Sequence, residues 1–281
     1  MRLTFLISCA LVAFAGLPAA AGSKSVPPRF IVYGRDLTPV PMAEWEADGK
    51  MMLATGKGQI AKAPRKAVKY TVKSVVWPSG TVRVLSFTKA GGVLHAITDE
   101  TEIYVLQGSV KATVGGTVES LKAGDVASHA SGVIRTGEVA ENTTLVTWNV
   151  GPVSADAPTP TVVRGETVKE GGPAGVLLLK RYEFPGNSIR VATLAKGSRN
   201  GPASAKTDSL MYFMEGHVQF TEGDEVYDVH AGDFLWEEAG QTHKWEHLDG
   251  GSFVTTSGLP KDTGPMKASD AVDRPENAPK K

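Results

Sequence analysis

Two long stretches of this sequence are copies of one another. YVLQGSVKATVGGTV, residues 104–118, reappears as YFMEGHVQFTEGDEV, residues 212–226. LKAGDVASHASG reappears as VHAGDFLWEEAG at the same interval of 108 residues, and WPSGTVRV reappears as FPGNSIRV at an interval one residue shorter. A stacked repeat array needs at least about three units, so two copies predict a tandem pair of domains with one fold.

The copied segments have the pattern of an all-β protein. They are short apolar or alternating runs rich in Val, Thr, Leu and Tyr, with Gly and Pro at close spacing, which is typical of a β-sandwich or barrel. Pro158-Thr159-Pro160 is a turn-forming cluster between the copies. We therefore predict one barrel over residues 67–160 and a second over residues 161–260.

Segments of a different character flank the two barrels. Residues 22–66 form an N-terminal arm, in which we expect PMAEWEADGKM to be either one helical turn or a strand added to a sheet edge. Residues 261–281 contain few large apolar side chains. A segment of this composition cannot bury enough apolar surface to fold, so we expect a disordered C-terminal tail.

Residues 1–21 have the pattern of a secretory signal peptide. Arg2 precedes an apolar run that ends at Gly16, and Ala19-Ala20-Ala21 follows as a small-residue cleavage signal. The run is shorter than the ~20 apolar residues of a membrane span, so no membrane insertion is expected. Cys9, the only cysteine, lies inside this leader, and lipidation of Cys9 is the alternative. We expect a periplasmic or secreted protein whose mature chain has neither disulfides nor thiolate metal sites.

The charge balance excludes one class of partner. The chain has 30 Lys and Arg residues against 30 Asp and Glu residues. Proteins that bind nucleic acid or anionic membranes rely on an excess of basic residues. No nucleic-acid partner is therefore expected.

The copied blocks resemble the two sequence motifs of the cupin superfamily, and their repetition resembles the bicupins, which carry two cupin domains in tandem. TEIYVLQG with LKAGDVASHASGVIR, and SLMYFMEG with HAGDFLWEEAGQTHKWEH, fit the family frame of turn glycines and strands. The resemblance spans residues 67–258. It implies two jelly-roll barrels, each with a central pocket, and edge-to-edge pairing into a homodimer. In metal-binding cupins three His and one Glu converge in the pocket, and such ligands suit Fe, Mn, Zn, Ni or Cu.

The first copy departs from that ligand set. His95 fills the first His slot, whereas Ile97, Thr101 and Arg135 stand in the second His, the Glu and the last His slots. One ligand of four cannot hold a catalytic metal. A buried guanidinium needs a carboxylate partner, so Arg135 is expected either to pair with a local acid such as Glu102 or to bind an anionic ligand. His95 is either a hydrogen-bonded residue at a strand end or the partner of Glu102 in an acid/base couple.

The second copy keeps one ligand of the set and adds another imidazole nearby. The two HxH slots hold Pro202 or Ala203 and Ser204 or Ala205, depending on where the extra residue falls, and Ser209 stands in the Glu slot. His243 is retained, and His247 takes the place of the family's terminal Asn. On a strand, His243, Trp245 and His247 share one face. If that face points inward, His243 and His247 are candidate metal ligands.

Several other side chains are candidates to complete this site. The candidate acids are Asp208, Glu237 and Glu238, with His217 as a further nitrogen ligand. Two His and one carboxylate form the ligand set of non-haem iron; without a metal, the imidazoles would hydrogen-bond a ligand or a carboxylate. Tyr212, Trp236 and Trp245 are candidates for ligand contact, and core filling is the alternative for the two indoles.

Two functions of different classes follow from these residues. The first is a module that binds a small organic ligand, such as an organic acid, a sugar or an aromatic fragment, in the second barrel without a metal. The second is a lyase, isomerase or oxygenase in which Glu238 or Asp208 works with His243 and His247, by acid/base chemistry or with a divalent metal. The missing HxH motif in both copies motivates the first.

Overall fold

The computed structural model describes eight segments of the chain, residues 30–41, 69–96, 101–114, 117–129, 134–149, 161–184, 187–204 and 206–259. They form nineteen strands, β1 to β19, and two 3₁₀ turns, with no α-helix among them. Within these segments no helix is long and apolar enough to cross a membrane. The all-β prediction is confirmed. The predicted leader and tail, and PMAEWEADGKM beyond Pro41, lie outside the described residues.

The first barrel consists of two antiparallel sheets. Its strands are β2 (Val40–Pro41), β3 (Tyr70–Trp77), β4 (Gly80–Phe87), β5 (Gly91–Ala96), β6 (Thr101–Gln107), β7 (Ser109–Val114), β8 (Thr117–Lys122), β9 (Val126–His129), β10 (Ile134–Val139), β11 (Thr143–Asn149) and β12 (Thr161–Val163). One sheet has the order β12-β9-β6-β11-β4-β3-β2 and the other β5-β10-β7-β8. Alternate side chains of each strand point to one face, so Ile103 and Val105 of β6 meet Leu121 and Leu145 in a buried cluster.

The second barrel is a single sheet of eight strands that wraps around its core. Its strands are β1 (Ile31–Val32), β13 (Leu177–Phe184), β14 (Asn187–Leu194), β15 (Arg199–Ser204), β16 (Asp208–Glu222), β17 (Glu225–His230), β18 (Phe234–Glu237) and β19 (Thr242–Leu259). The main path is β1-β18-β16-β19-β14-β13, with β15 on β19 and β17 on β16. The pairing of β16 with β19 shifts register three times. Such bulges bend a strand, which lets both long strands curve around Phe213, Phe220 and Trp245.

The turn glycines of the repeat mark places where two chain segments touch. Gly108 and Gly216 both have a left-handed φ, 78° and 90°. A Cβ at Gly108 would lie 2.4 Å from Thr143 Oγ1, and one at Gly216 would lie 2.0 Å from the Gly250 carbonyl oxygen. Only glycine accepts this conformation and this closeness, which explains why both copies keep it.

Each barrel is completed by a short segment that precedes the other barrel. β1 pairs with β18 of the second barrel, and the 3₁₀ turn Gly34–Asp36 follows it. β12 pairs with β9 of the first barrel, and the 3₁₀ turn Gly165–Thr167 follows it. These two pairings cross the domain limits predicted from the sequence: β1 lies in the N-terminal arm, and residues 161–163 lie in the range predicted for the second barrel.

The two docked segments are held by equivalent contacts. The Gly34 amide donates to Asp233 Oδ1 at 2.8 Å, and the Gly165 amide donates to Asp125 Oδ1 at 2.9 Å. Asp125 and Asp233 are the acids of the two A-G-D motifs. A lysine of the opposite barrel then bonds each glycine carbonyl, Lys73 to Gly34 at 2.8 Å and Lys180 to Gly165 at 3.3 Å. The two halves of the chain are thus related in their contacts as well as in their sequence.

An apolar cluster joins the two barrels. It includes Val82, Tyr104 and Trp148 of the first barrel and Tyr182, Leu210, Phe234 and Trp236 of the second. Trp148 Nε1 donates to the Leu210 carbonyl at 3.0 Å, and the Tyr182 hydroxyl donates to the Gly124 carbonyl at 2.8 Å. Both polar tips of these large side chains are therefore bonded across the contact.

Candidate functional site

β19 brings His243, Trp245 and His247 to one inward face of the second barrel. The three side chains are 5%, 6% and 2% exposed. Phe220 of β16 stacks on the His243 ring, with centroids 5.3 Å apart, and also contacts Trp245. The shared face predicted from the alternation in THKWEH is therefore present and buried.

Strand register settles which residues stand in the first His slot. Ala203 of β15 lies opposite His243, just as His95 of β5 lies opposite Arg135 of β10 in the first barrel. The first His slot of the second copy is therefore Ala203, and the second falls on Ala205, which lies outside the described residues. The side chains of His95 and Arg135 are likewise not described, so their ligand-binding roles stay predictions.

The residues in these slots do not fit the metal set of the family. Alanine at both HxH slots has no donor atom, and the hydroxyl of Ser209 replaces the carboxylate of the Glu slot. A catalytic zinc-type site needs about three protein ligands. Among the described residues no three His, Cys, Asp or Glu side chains are grouped to hold a metal ion.

The metal role predicted for His243 and His247 stays a prediction, and β19 holds the two residues apart. Trp245 lies between them, with ring centroids 5.9 Å from His243 and 6.3 Å from His247. Residues four apart on a strand are separated by about 13 Å along its axis. The two imidazoles therefore belong to different parts of the barrel interior.

Glu237 of β18 is the carboxylate that contacts His243. The distance from His243 Nε2 to Glu237 Oε1 is 2.6 Å, and the two side chains are 6% and 10% exposed. The sequence left Asp208, Glu237 and Glu238 open as partners, and the enzyme hypothesis used Glu238 or Asp208. In FLWE, the side chains of Leu235 and Glu237 point to one face of the strand and that of Trp236 to the other. This alternation, together with the inward-facing His243, indicates Glu237 as the partner of His243.

A cavity of about 190 Å³ lies beside this pair. Its aromatic wall residues are Phe30, Phe220 and Trp236, and its acidic ones are Glu222, Glu237 and Glu238. Gln241 and His243 complete the lining. Phe30 comes from the turn just before β1, where its carbonyl accepts a hydrogen bond from the Trp236 amide at 2.8 Å. Sequence reasoning missed Phe30, since nothing local indicates a contact about 200 positions away.

Asp208 supports the cavity wall without lining it. Its Oδ2 accepts a hydrogen bond from Trp236 Nε1 at 3.2 Å, and its Oδ1 accepts one from the Ala239 amide at 2.8 Å. Both carboxylate oxygens are thus engaged in orienting the indole and the turn after β18. These hydrogen bonds position the cavity wall, and the catalytic role predicted for Asp208 stays a prediction.

The aromatic residues predicted to contact ligand have different surroundings. Trp236 lines the cavity and packs into the contact between the barrels. Trp245 fills the core of the second barrel. Tyr212 packs against Phe234 on the side of the barrel contact, and burial raises the pKa of its hydroxyl. Of the three, only Trp236 is among the residues that form the cavity.

Two other residues of the same barrel, His247 and Arg190, have pKa values lowered by burial. Burial lowers the pKa of the His247 imidazole, and its Nδ1 has no hydrogen-bond partner among the described residues. Burial also lowers the pKa of the Arg190 guanidinium, and the charge of Glu237 partly offsets that effect. Arg190 therefore lies within electrostatic range of the His243–Glu237 pair.

Comparisons with known proteins agree with this architecture. The cupin domain family matches residues 190–255. Oxalate decarboxylase from Lactobacillus farciminis in complex with formate aligns with a TM-score of 0.62 and 10% identity, covering 90% of this chain and 93% of that chain. A point mutant of Bacillus subtilis oxalate decarboxylase aligns with a TM-score of 0.62 and 12% identity, covering 90% of this chain and 83% of that chain.

AerE from Microcystis aeruginosa aligns with a TM-score of 0.59 and 9% identity, covering 82% of this chain and 99% of that chain. No curated protein matches the sequence. Identities this low carry the fold and leave the activity open. The chain therefore shares its fold with these solved structures, and the cupin domain family matches part of its second barrel.

Proposed function

We propose that the second barrel binds a small organic molecule in the cavity beside His243 and Glu237, without the metal set of the family. The observation that carries this proposal is the cavity itself, which places a buried imidazole–carboxylate pair next to three aromatic rings. Small-molecule sites combine apolar walls with a few placed polar groups in this way. A cavity of about 150 Å³ holds a benzene molecule, so this one suits a ligand only slightly larger.

The proposal is tested by NMR titration of the purified protein with a fragment panel of organic acids, amines, sugars and aromatic compounds. We expect at least one class to shift the ring signals of His243. Gln241→Trp, an exposed change at the cavity wall, should block that shift, whereas Gln107→Trp on the first barrel should not. Failure of every class to shift His243, or binding that survives Gln241→Trp, would contradict the proposal.

Acid/base catalysis at the same pair is the second candidate function. The 2.6 Å contact between His243 Nε2 and Glu237 Oε1 favours it, because a carboxylate that orients an imidazole assists proton transfer. Such a pair would serve a lyase or isomerase by moving a proton on the bound molecule. Exchange of a ligand C–H for deuterium in D₂O, abolished by Glu237→Gln while ligand binding persists, would distinguish an enzyme from a binding module.

We also propose that the protein acts outside the cytoplasm, in the periplasm or after secretion. The apolar leader and its Ala19-Ala20-Ala21 signal support this location. N-terminal sequencing of the protein from a periplasmic extract is the test, with Gly22 expected as the first residue. The homodimer implied by the family resemblance is part of the same proposal, and light scattering of that material measures the mass.

A further inference from the structure

We propose that the ligand of the second barrel is an organic acid whose carboxylate binds Arg190. The inference rests on the proposed function and names the class of molecule that the same site takes. It is carried by the place of Arg190 on the inner face of β14 and by its buried Nε, which has no hydrogen-bond partner among the described residues.

β14 points Arg190 into the second barrel. Ile189 and Val191 pack on the cluster that joins the two barrels, and alternate side chains of a strand point to opposite faces, so Arg190 lies on the inner face. Its partner on the neighbouring strand is Thr255 of β19. Thr255 in turn pairs with Met211, a member of the barrel core. The guanidinium therefore lies on the interior side of the sheet.

The inner face beside Arg190 is polar. One row of side chains crosses four strands, from Glu237 of β18 through Ser209 and Ser257 to Ser188 of β14. The three serines are only 3 to 5% exposed. The Oγ atoms of Ser188 and Ser257 share one hydrogen bond of 3.1 Å, which uses one hydroxyl proton and leaves the other for a further acceptor. Arg190 follows Ser188 by two positions and so lies on the same face.

The acids near Arg190 are engaged with other residues. Two acids act on its charge, Glu183 and Glu237. The carboxylate of Glu183 pairs with Arg181, and that of Glu237 contacts His243 at 2.6 Å. A buried guanidinium needs a carboxylate partner. Among the described residues Arg190 has none in direct contact, so the carboxylate of a ligand can supply it.

A carboxylate suits these groups better than a neutral or cationic ligand does. A guanidinium binds a carboxylate through two parallel N–H···O bonds, and a serine hydroxyl can donate another. Ser209 occupies the slot in which metal-binding cupins carry Glu, so a hydroxyl replaces a negative charge that would oppose an anion. A cation would be repelled by Arg190, and it would leave the Nε atom unbonded, which is costly in a buried place.

Glu237 connects this polar row to the cavity, since it ends the row and also lines the cavity. Phe30 and Phe220 of the cavity wall offer apolar surface to the carbon part of an acid, as small-molecule sites commonly do. Arg190 itself is not among the lining residues. The ligand is therefore expected to lie with its carbon atoms towards the rings and its carboxylate towards Arg190.

Isothermal titration calorimetry with two matched pairs of probes tests the inference. The pairs are acetate with acetamide and benzoate with benzamide, in which acid and amide have nearly the same shape and differ in charge. At low ionic strength, where charge interactions are least screened, we expect at least one carboxylate to bind at least about tenfold more tightly than its amide. Inorganic phosphate, an anion without a carbon skeleton, should bind more weakly than that carboxylate.

Variants then test the residue. Arg190→Gln should bring the affinity for the carboxylate to within about threefold of that for the amide, and Arg190→Lys, which keeps the charge without the planar fork, should restore only part of the difference. Arg199→Gln removes the same charge from an exposed position on the same barrel and should change nothing. If Arg190→Gln does not fold, NMR of the unaltered protein replaces it: the carboxylate should shift the Arg190 Nε–H signal and the amide should not.

Equal binding of both carboxylates and their amides would overturn the organic-acid inference while the proposed binding function stands. Absence of binding by all four probes would also overturn it, and the fragment titration then decides separately on the proposed function. A preference for the carboxylate that persists in Arg190→Gln would show that another residue recognises it. Tighter binding of phosphate than of either carboxylate would assign the site to an inorganic anion and contradict the named class.

Discussion

His243 and His247 lie on the same face of one strand in opposite environments. His243 contacts Glu237 and lines the cavity. His247 is 2% exposed, and its Nδ1 has no hydrogen-bond partner among the described residues. Since burial penalises the charged imidazolium, the pKa of His247 is lowered. His243 thus lines the cavity beside a carboxylate, whereas His247 lies inside the barrel with a lowered pKa.

This difference predicts a specific loss of stability in mild acid. The unfolded chain takes up a proton at His247 as the pH falls below the usual histidine value of about 6.5, whereas the folded chain resists it. The free energy of unfolding should therefore fall with pH below that value, by at most about 1.4 kcal/mol per pH unit from this one group. Urea unfolding between about pH 7.5 and 5.5 measures the slope.

His247→Leu is the matched variant, because it keeps the buried position apolar. The slope of the unaltered protein should exceed that of His247→Leu, and identical slopes would show that His247 does not titrate on unfolding. Both proteins should have the same far-UV circular dichroism spectrum before the unfolding transition, which checks that each starts folded.

The docked segments are the elements on which both barrels depend. Each holds a glycine against the carbonyl of a turn glycine in the barrel that it completes. A Cβ at Gly34 would lie 1.9 Å from the Gly232 oxygen, and one at Gly165 would lie 2.3 Å from the Gly124 oxygen. Both distances are too short for any side chain, so the approach of these backbones requires glycine.

We expect Gly34→Ala to weaken the pairing of β1 with β18. The free energy of unfolding should fall by about 1 to 3 kcal/mol, the usual range for overpacking. Because Phe30 is attached to β1, ligand binding in the cavity should weaken in parallel. Gly171→Ala is the control, since a Cβ there meets nothing closer than 3.9 Å. Thermal unfolding of the three proteins measures the effect, and an equal transition temperature for Gly34→Ala and Gly171→Ala would refute it.

The sequence predicted the long elements better than the short ones. The repeat and the period-two alternation predicted strands within β16 and β19 and put His243, Trp245 and His247 on one face, because those patterns are local. Whether that face points inward was left open. β1 has two residues and therefore no periodicity, so its pairing between Ile31 and Leu235 could not be found from one chain. The partner of His243 was left open for a similar reason, since the choice among Asp208, Glu237 and Glu238 depends on how β18 lies beside β19.

The molecule as a whole is joined by its apolar cluster and by its docked segments. Trp148 and Tyr182 each bond a carbonyl of the opposite barrel, and strands β1 and β12 each add to the sheet of one barrel from the segment preceding the other. Neither barrel is therefore complete when the other half of the chain is removed.

We expect both barrels to unfold in a single cooperative transition. Unfolding of one barrel alone would expose the shared apolar cluster and detach a strand from the other barrel. The remaining barrel would thereby lose stability, so the two barrels should unfold together. Scanning calorimetry should give one peak whose calorimetric and van't Hoff enthalpies agree. Two resolved peaks, or a calorimetric enthalpy about twice the van't Hoff value, would show that the barrels are independent.

The position of β1 also fixes the order in which the molecule can be assembled. Ile31 is made about 200 residues before its partner Leu235. Contacts between distant parts of a chain form slowly, since a long loop must close first. Phe30 can join the cavity wall only after β18 has been made. A nascent fragment that ends before β18 therefore lacks the complete cavity wall.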